Sequence, residues 1–127
     1  MSVAVVHTDS PEGRAALVAA AREAADRHER LVVLHVLDDD GAVARAQEEK
    51  VRAAVREVLG NDDWDLCTEV HDGDRVGAVI DLVARTGAER VVAGSRGKNA
   101  VGKFLLERPL QRLLIEVGVP VLIVKAA

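Results

Sequence analysis

Short β-branched runs alternate with longer helix-patterned stretches along the whole chain. The first run, Val3 to His7, has the length and side chains of a strand. Ser10 and Pro11 follow as a helix N-cap and a proline at the first helical position. The alanine-rich stretch from Pro11 to His28 places Leu17, Ala20, Ala21 and Ala24 on one face and predicts the first helix. Leu31 to Leu37 is an unbroken apolar run enclosing His35, the pattern of a strand covered on both faces.

Asp38, Asp39 and Asp40 end that strand and read as a solvated loop opening the next helix. The second helix runs from Gly41 to Leu59, with Val51, Val55, Val58 and Leu59 at helical spacing and Gly60 as its stop. Trp64 to Val70 alternates more and predicts a strand nearer an edge. Asp74 caps a third helix carrying Val76, Val79, Ile80 and Val83, and Gly87 lies just past its end. Arg90 to Ala93 is the fourth strand, followed by a loop from Gly94 to Gly102 and a helix around Pro109 to Val117. Gly118 closes that helix, and Val119 to Val124 is the fifth strand.

Five strands and four helices in strict alternation predict one α/β domain over residues 1–127, a doubly wound, mostly parallel and Rossmann-like sheet. At 127 residues and 49% hydrophobic, the chain can bury a core without metals or disulfides. The net charge of -4 and an aromatic content of 2% argue against nucleic acid as the partner. The lone cysteine, Cys67, reads as a small buried strand residue, and one cysteine suits a reducing compartment. No apolar run approaches the roughly 18 residues of a membrane span, and the N-terminus lacks the pattern of a signal peptide. A cytoplasmic location without membrane contact is the expectation.

In such sheets ligands bind outside the carboxyl ends of the strands. The residues there are Thr8 and Asp9, then Asp38 to Asp40, then the loop Gly94-Ser95-Arg96-Gly97-Lys98-Asn99. Two glycines three apart after a buried strand can turn backbone N–H groups toward an anion, and Arg96, Lys98 and Lys103 add positive charge. His7, His28, His35 and His71 show no metal spacing, and His7 and His35 read as packed neutral histidines. No Ser/His/Asp arrangement at motif spacing occurs, so no catalytic residues are expected.

The run Val91-Val92-Ala93-Gly94-Ser95-Arg96-Gly97 resembles the strand and turn of the universal stress protein family, whose signature reads G-x2-G-x9-G-[ST]. Val119-Pro120-Val121-Leu122-Ile123-Val124 is similar to that family's last strand, and Val5 to Ser10 and Leu34 to Asp38 to its first two strand ends. The resemblance implies the strand order 3-2-1-4-5. It also implies a nucleotide site in some members, with Thr8 and Asp9 by the nucleoside, the Val36 backbone at adenine, and Ala93, Gly94 and Gly97 at the ribose and phosphate turn. The second half of the signature is missing, because positions 107 and 108 hold Glu107 and Arg108, followed by Pro109. A carboxylate about 4 Å from a phosphate charge costs on the order of 4 kcal/mol at an effective dielectric of about 20. Pro109 removes a further donor.

The resulting expectation is a non-enzymatic regulatory or binding module with a degenerate ATP site and no cofactor beyond a weakly held adenine nucleotide. The alternative is an ATP or AMP sensor of the same family. A phospho-receiver domain fits less well, since Asp9 has no acidic neighbour and no fifth helix follows Lys125. The fifth strand, with Val119, Val121, Leu122, Ile123 and Val124, falls at a sheet edge in the implied order. Such an unguarded apolar edge predicts a homodimer. The downstream protein partner is left open by the residues.

Overall fold

Strands and helices follow one another as β1 (Ser2–Val6), α1 (Pro11–Arg27), β2 (Arg30–Leu37), α2 (Gly41–Leu59), β3 (Asp65–Val70), α3 (Arg75–Thr86), β4 (Arg90–Ser95), α4 (Arg108–Glu116) and β5 (Val121–Lys125). The computed structural model describes residues 1–97 and 105–126. The five strands form one sheet in the order β3-β2-β1-β4-β5, and every pairing is parallel. That order differs from the 2-1-3-4-5 of flavodoxin-like receiver folds, so the receiver reading falls.

The sheet is buried on both faces, which is why its central strands are continuously apolar. On one face Val3, Val5, Val33 and Val92 pack with Leu17, Val51, Val55 and Trp64. On the other, Ala4, Leu34, Val91 and Ala93 pack with Leu82, Val83, Leu113 and Val117. Alternate side chains of each strand serve opposite layers, with α1 and α2 on one side and α3 and α4 on the other. Burying a side chain such as Leu17 or Leu82 fully contributes roughly 1.5–3 kcal/mol.

The helix starts are set by short polar side chains. Ser10 Oγ accepts from Gly13 N–H at 3.0 Å, and Asp74 Oδ1 accepts from Gly77 N–H at 3.0 Å. Asp74 also receives Arg112 from α4 at 2.7 Å, tying the two helices of one layer together. The bond from Arg112, followed by that from Gly77, holds the Asp74 carboxyl at about 2.

Three sequence expectations change. Gly94 and Ser95 belong to β4, where they pair with Val124 and Lys125, and do not open the loop. The last strand begins at Val121, so Val119 lies before it; Pro120 has no N–H to give, and its carbonyl accepts from Val91 N–H at 3.0 Å. Cys67 is half-buried, because β3 is the opposite edge of the sheet. Asp38 to Asp40 are exposed and lead into α2 as expected, and Asp38 bonds His71 Nε2 at 3.0 Å and pairs with Arg75. Those bonds, His71 first, hold its carboxyl below the usual range.

Candidate functional site

The carboxyl ends of β1, β2 and β4 surround a cavity of about 760 Å³, a size suited to a small-molecule ligand. Strand order reverses between β1 and β4, so the crevice opens where the helices diverge to opposite faces. Thr8, Asp9, Val36, Ala93 and Gly94 all border it. Gly97 is buried and does not. Its N–H bonds Ser95 Oγ at 3.0 Å, and its φ of 78° is the left-handed conformation that favours glycine. Lys98, Asn99, Gly102 and Lys103 lie outside the described residues.

Gly94 has a packing reason for lacking a side chain. A Cβ there would stand 2.2 Å from the Glu12 carbonyl oxygen in the first turn of α1. The strand end and the helix start therefore touch through backbone alone. The Asp9 side chain is 94% exposed, with Arg14 3.7 Å from it. Thr8 Oγ1 lies 2.8 Å from Ser10 Oγ and helps shape the turn into α1.

The residues that give the cavity its chemistry are ones the motif does not name. Ser95 is fully buried at the end of β4. Its hydroxyl donates to Glu107 Oε1 at 2.6 Å, and Arg96 N–H donates to Glu107 Oε2 at 3.3 Å. Glu107 is the N-cap residue of α4, yet its side chain makes no capping bond to that helix. The carboxylate turns to the β4 turn instead. Burial alone would raise its pKa, but the bonds from Ser95, from its own N–H and from Arg96 outweigh that and hold it below the usual glutamate range. An anion therefore already sits on the donors of the glycine turn.

The cavity floor holds two histidines from neighbouring strands. His7 and His35 approach Nδ1 to Nδ1 at 3.0 Å. Gln47 Nε2 lies 3.4 Å from His35 Nε2. The contact between the two Nδ1 atoms requires one of them to carry the proton and the other to accept it. Burial, followed by the neighbouring His35, lowers the His7 pKa to about 4. Burial also lowers that of His35. Both rings are neutral at physiological pH, as the sequence reading expects of packed histidines. Apolar side chains from α3 and α4, Val76, Val79 and Leu110, complete the walls. No group of three or more His, Cys, Asp or Glu suited to a metal occurs among the described residues.

With this geometry in view, the comparisons with known proteins agree on one family. The profile of the universal stress protein family matches residues 1–125. The chain belongs to the universal stress protein family. Among characterised relatives, the stress response protein NhaX of Bacillus subtilis (strain 168) is 27% identical over 94 residues, 74% of this chain and 57% of that protein. The chain thus matches little more than half the length of that relative. A universal stress protein from Archaeoglobus fulgidus superposes with a TM-score of 0.78 at 18% identity, covering 98% of each chain. The Archaeoglobus fulgidus universal stress protein in complex with dAMP gives 0.74 at 15% identity, again over 98% of each chain. A universal stress protein in complex with cAMP gives 0.71 at 23% identity, over 99% of this chain and 98% of that one. These similarities establish the fold.

Proposed function

We propose that this chain is a regulatory binding module that works as a homodimer, does not use ATP, and has no catalytic turnover. One observation carries the reading: the Glu107 carboxylate occupies the Ser95 and Arg96 donors, in the turn where the family resemblance puts a phosphate. A phosphate would have to displace a tethered, fully ionised group, and it would still meet that charge nearby. His7, its pKa lowered to about 4 by burial and then by His35, is a weak base at neutral pH.

The dimer reading rests on the sheet edge. Among the described strands, β5 is at the edge of the sheet and pairs with β4. Leu122 is 43% exposed there, and Leu114 and Ile115 of α4 are exposed as well. Antiparallel pairing of two β5 strands across a two-fold axis would satisfy the edge and cover this apolar surface. The lone Cys67 fits a reducing cytoplasm, and no helix among the described residues is long and apolar enough to cross a membrane.

The second reading, a nucleotide sensor, is favoured by the neighbours solved with dAMP and cAMP and by the size of the cavity. Calorimetric titration with Mg-ATP separates the two. Weak or absent heat supports the regulatory module, and a dissociation constant in the micromolar range or below shows it to be wrong.

A further inference from the structure

The two histidines of the cavity floor face each other through the same ring nitrogen. His7 Nδ1 and His35 Nδ1 stand 3.0 Å apart while the ring centroids stand 5.0 Å apart, so the rings meet by their edges and do not stack. Adjacent parallel strands fix this approach. Val6 of β1 is level with Leu34 of β2, and His7 N–H donates to the Leu34 carbonyl at 2.8 Å. A neutral imidazole has one nitrogen that donates and one that accepts. One proton between the two Nδ1 atoms therefore holds the pair, and two lone pairs converge on the same place once that proton moves.

Two imidazole nitrogens on one divalent ion, each at about 2.0–2.1 Å, lie about 2.9 Å apart in a square-planar arrangement and about 3.3 Å apart in a tetrahedral one. The 3.0 Å between His7 and His35 falls within that interval. Both rings border the cavity, so further coordination positions open onto it. Among the described residues around it, the carboxylates Asp9, Glu12, Asp38 and Glu107 outnumber Arg75 and Arg96, and the negative field favours a cation. Gln47 Nε2 lies 3.4 Å from His35 Nε2. With its amide turned over, Gln47 presents an oxygen to a proton on that nitrogen, the kind of outer bond that orients a metal-bound histidine.

We propose that the His7–His35 pair is a two-histidine site for a divalent transition-metal ion of the zinc or copper class, bound through both Nδ1 atoms with water in the open positions. On binding, the proton between the rings passes to Nε2 of the ring that carried it. Both rings stay neutral, and each Nδ1 gives its lone pair to the ion. Imidazole donors suit zinc and copper and disfavour magnesium and calcium, which take oxygen ligands. No third His, Cys, Asp or Glu joins the pair among the described residues, so the site is an open one.

The test titrates zinc chloride calorimetrically, in a buffer that does not chelate zinc, into the wild type, H7L, H35L and H28N. The wild type is expected to bind one ion per chain with a micromolar dissociation constant. H7L and H35L are expected to bind at least about tenfold more weakly, a loss that removing even a supporting hydrogen-bond partner can reach. His28 is exposed on the surface, and H28N is expected to bind as the wild type does. Zinc-induced shifts of the imidazole NMR signals of the wild type, expected at His7 and His35, read the same site without a variant, so the test stands even if H7L and H35L fold poorly. A wild-type dissociation constant in the millimolar range or weaker overturns the proposal. So does equal affinity in a folded H7L, or shifts confined to His28 and His71. Zinc binding at this pair is independent of the ATP reading, which the Mg-ATP titration tests alone.

Discussion

Ser95 and Glu107 are joined by a 2.6 Å hydrogen bond that closes the end of β4 onto the start of α4. The same Ser95 oxygen accepts the Gly97 N–H at 3.0 Å, so one buried hydroxyl organises both the turn and the anion upon it. Changing Ser95 to alanine removes both bonds and leaves a buried N–H unpaired. Urea unfolding of S95A is expected to show a loss of about 1–3 kcal/mol. A loss under about 0.5 kcal/mol, the usual scatter of surface substitutions, would mean that the hydroxyl is not structural.

Gly94 tests the close approach of β4 and α1. A Cβ would stand 2.2 Å from the Glu12 carbonyl, a backbone atom that cannot swing aside. Gly94→Ala should therefore destabilise the fold by about 1–3 kcal/mol whether or not any ligand is present. A thermal midpoint equal to that of the wild type would contradict the packing account of this glycine.

The His7–His35 pair predicts a pH dependence of stability. Burial and then the neighbouring His35 lower the His7 pKa from the ordinary 6.5 to about 4 in the folded chain. As pH falls through 6.5, the unfolded chain takes up this proton first, so stability falls until the folded pKa is reached. The loss attached to His7 is on the order of 3 kcal/mol between about pH 7 and about pH 4. Carboxylates also titrate near the lower limit, so the quantity to measure is the difference in pH slope between the wild type and H7L. Equal slopes in the two proteins would remove His7 from the account.

The β5 edge predicts the assembly state. Val121, Leu122, Ile123 and Val124 form a mostly apolar strand at the sheet edge among the described strands. Sedimentation at tens of micromolar should give a dimer for the wild type. Leu122→Lys with Ile123→Lys should give a monomer or an insoluble chain. A wild-type monomer at that concentration would defeat the edge-pairing proposal.

Much of the fold was legible because local signals agreed with tertiary ones. The bounds of α2 follow from Val51 and Val55 at helical spacing and from Gly60, and the helix runs from Gly41 to Leu59 as expected. Ser10 and Asp74 cap their helices as their side chains suggest. The alternation in β3 did mark an edge strand. Strand β4 ran two residues longer than its pattern, because glycine and serine carry no strand signal, and pairing with Val124 and Lys125 decides the matter. The cavity was legible only in outline. Thr8, Asp9, Val36, Ala93 and Gly94 could be placed around it from the family motif. The His7–His35 contact spans 28 residues and the Ser95–Glu107 contact 12. Neither pair has a spacing that any local periodicity would expose. Glu107 stood out in the sequence as a carboxylate in place of a glycine, but its bond to Ser95 was not legible there.

The central claim is that a tethered carboxylate fills the phosphate position. The most direct measurement is calorimetric titration of Mg-ATP into E107G/R108S beside the wild type. Removing the carboxylate and restoring a small hydroxyl residue at the start of α4 should tighten ATP binding by at least about tenfold. Unchanged affinity in the double variant would contradict the claim, because the donors of Ser95 and Arg96 would then be unable to hold a phosphate even when Glu107 is gone.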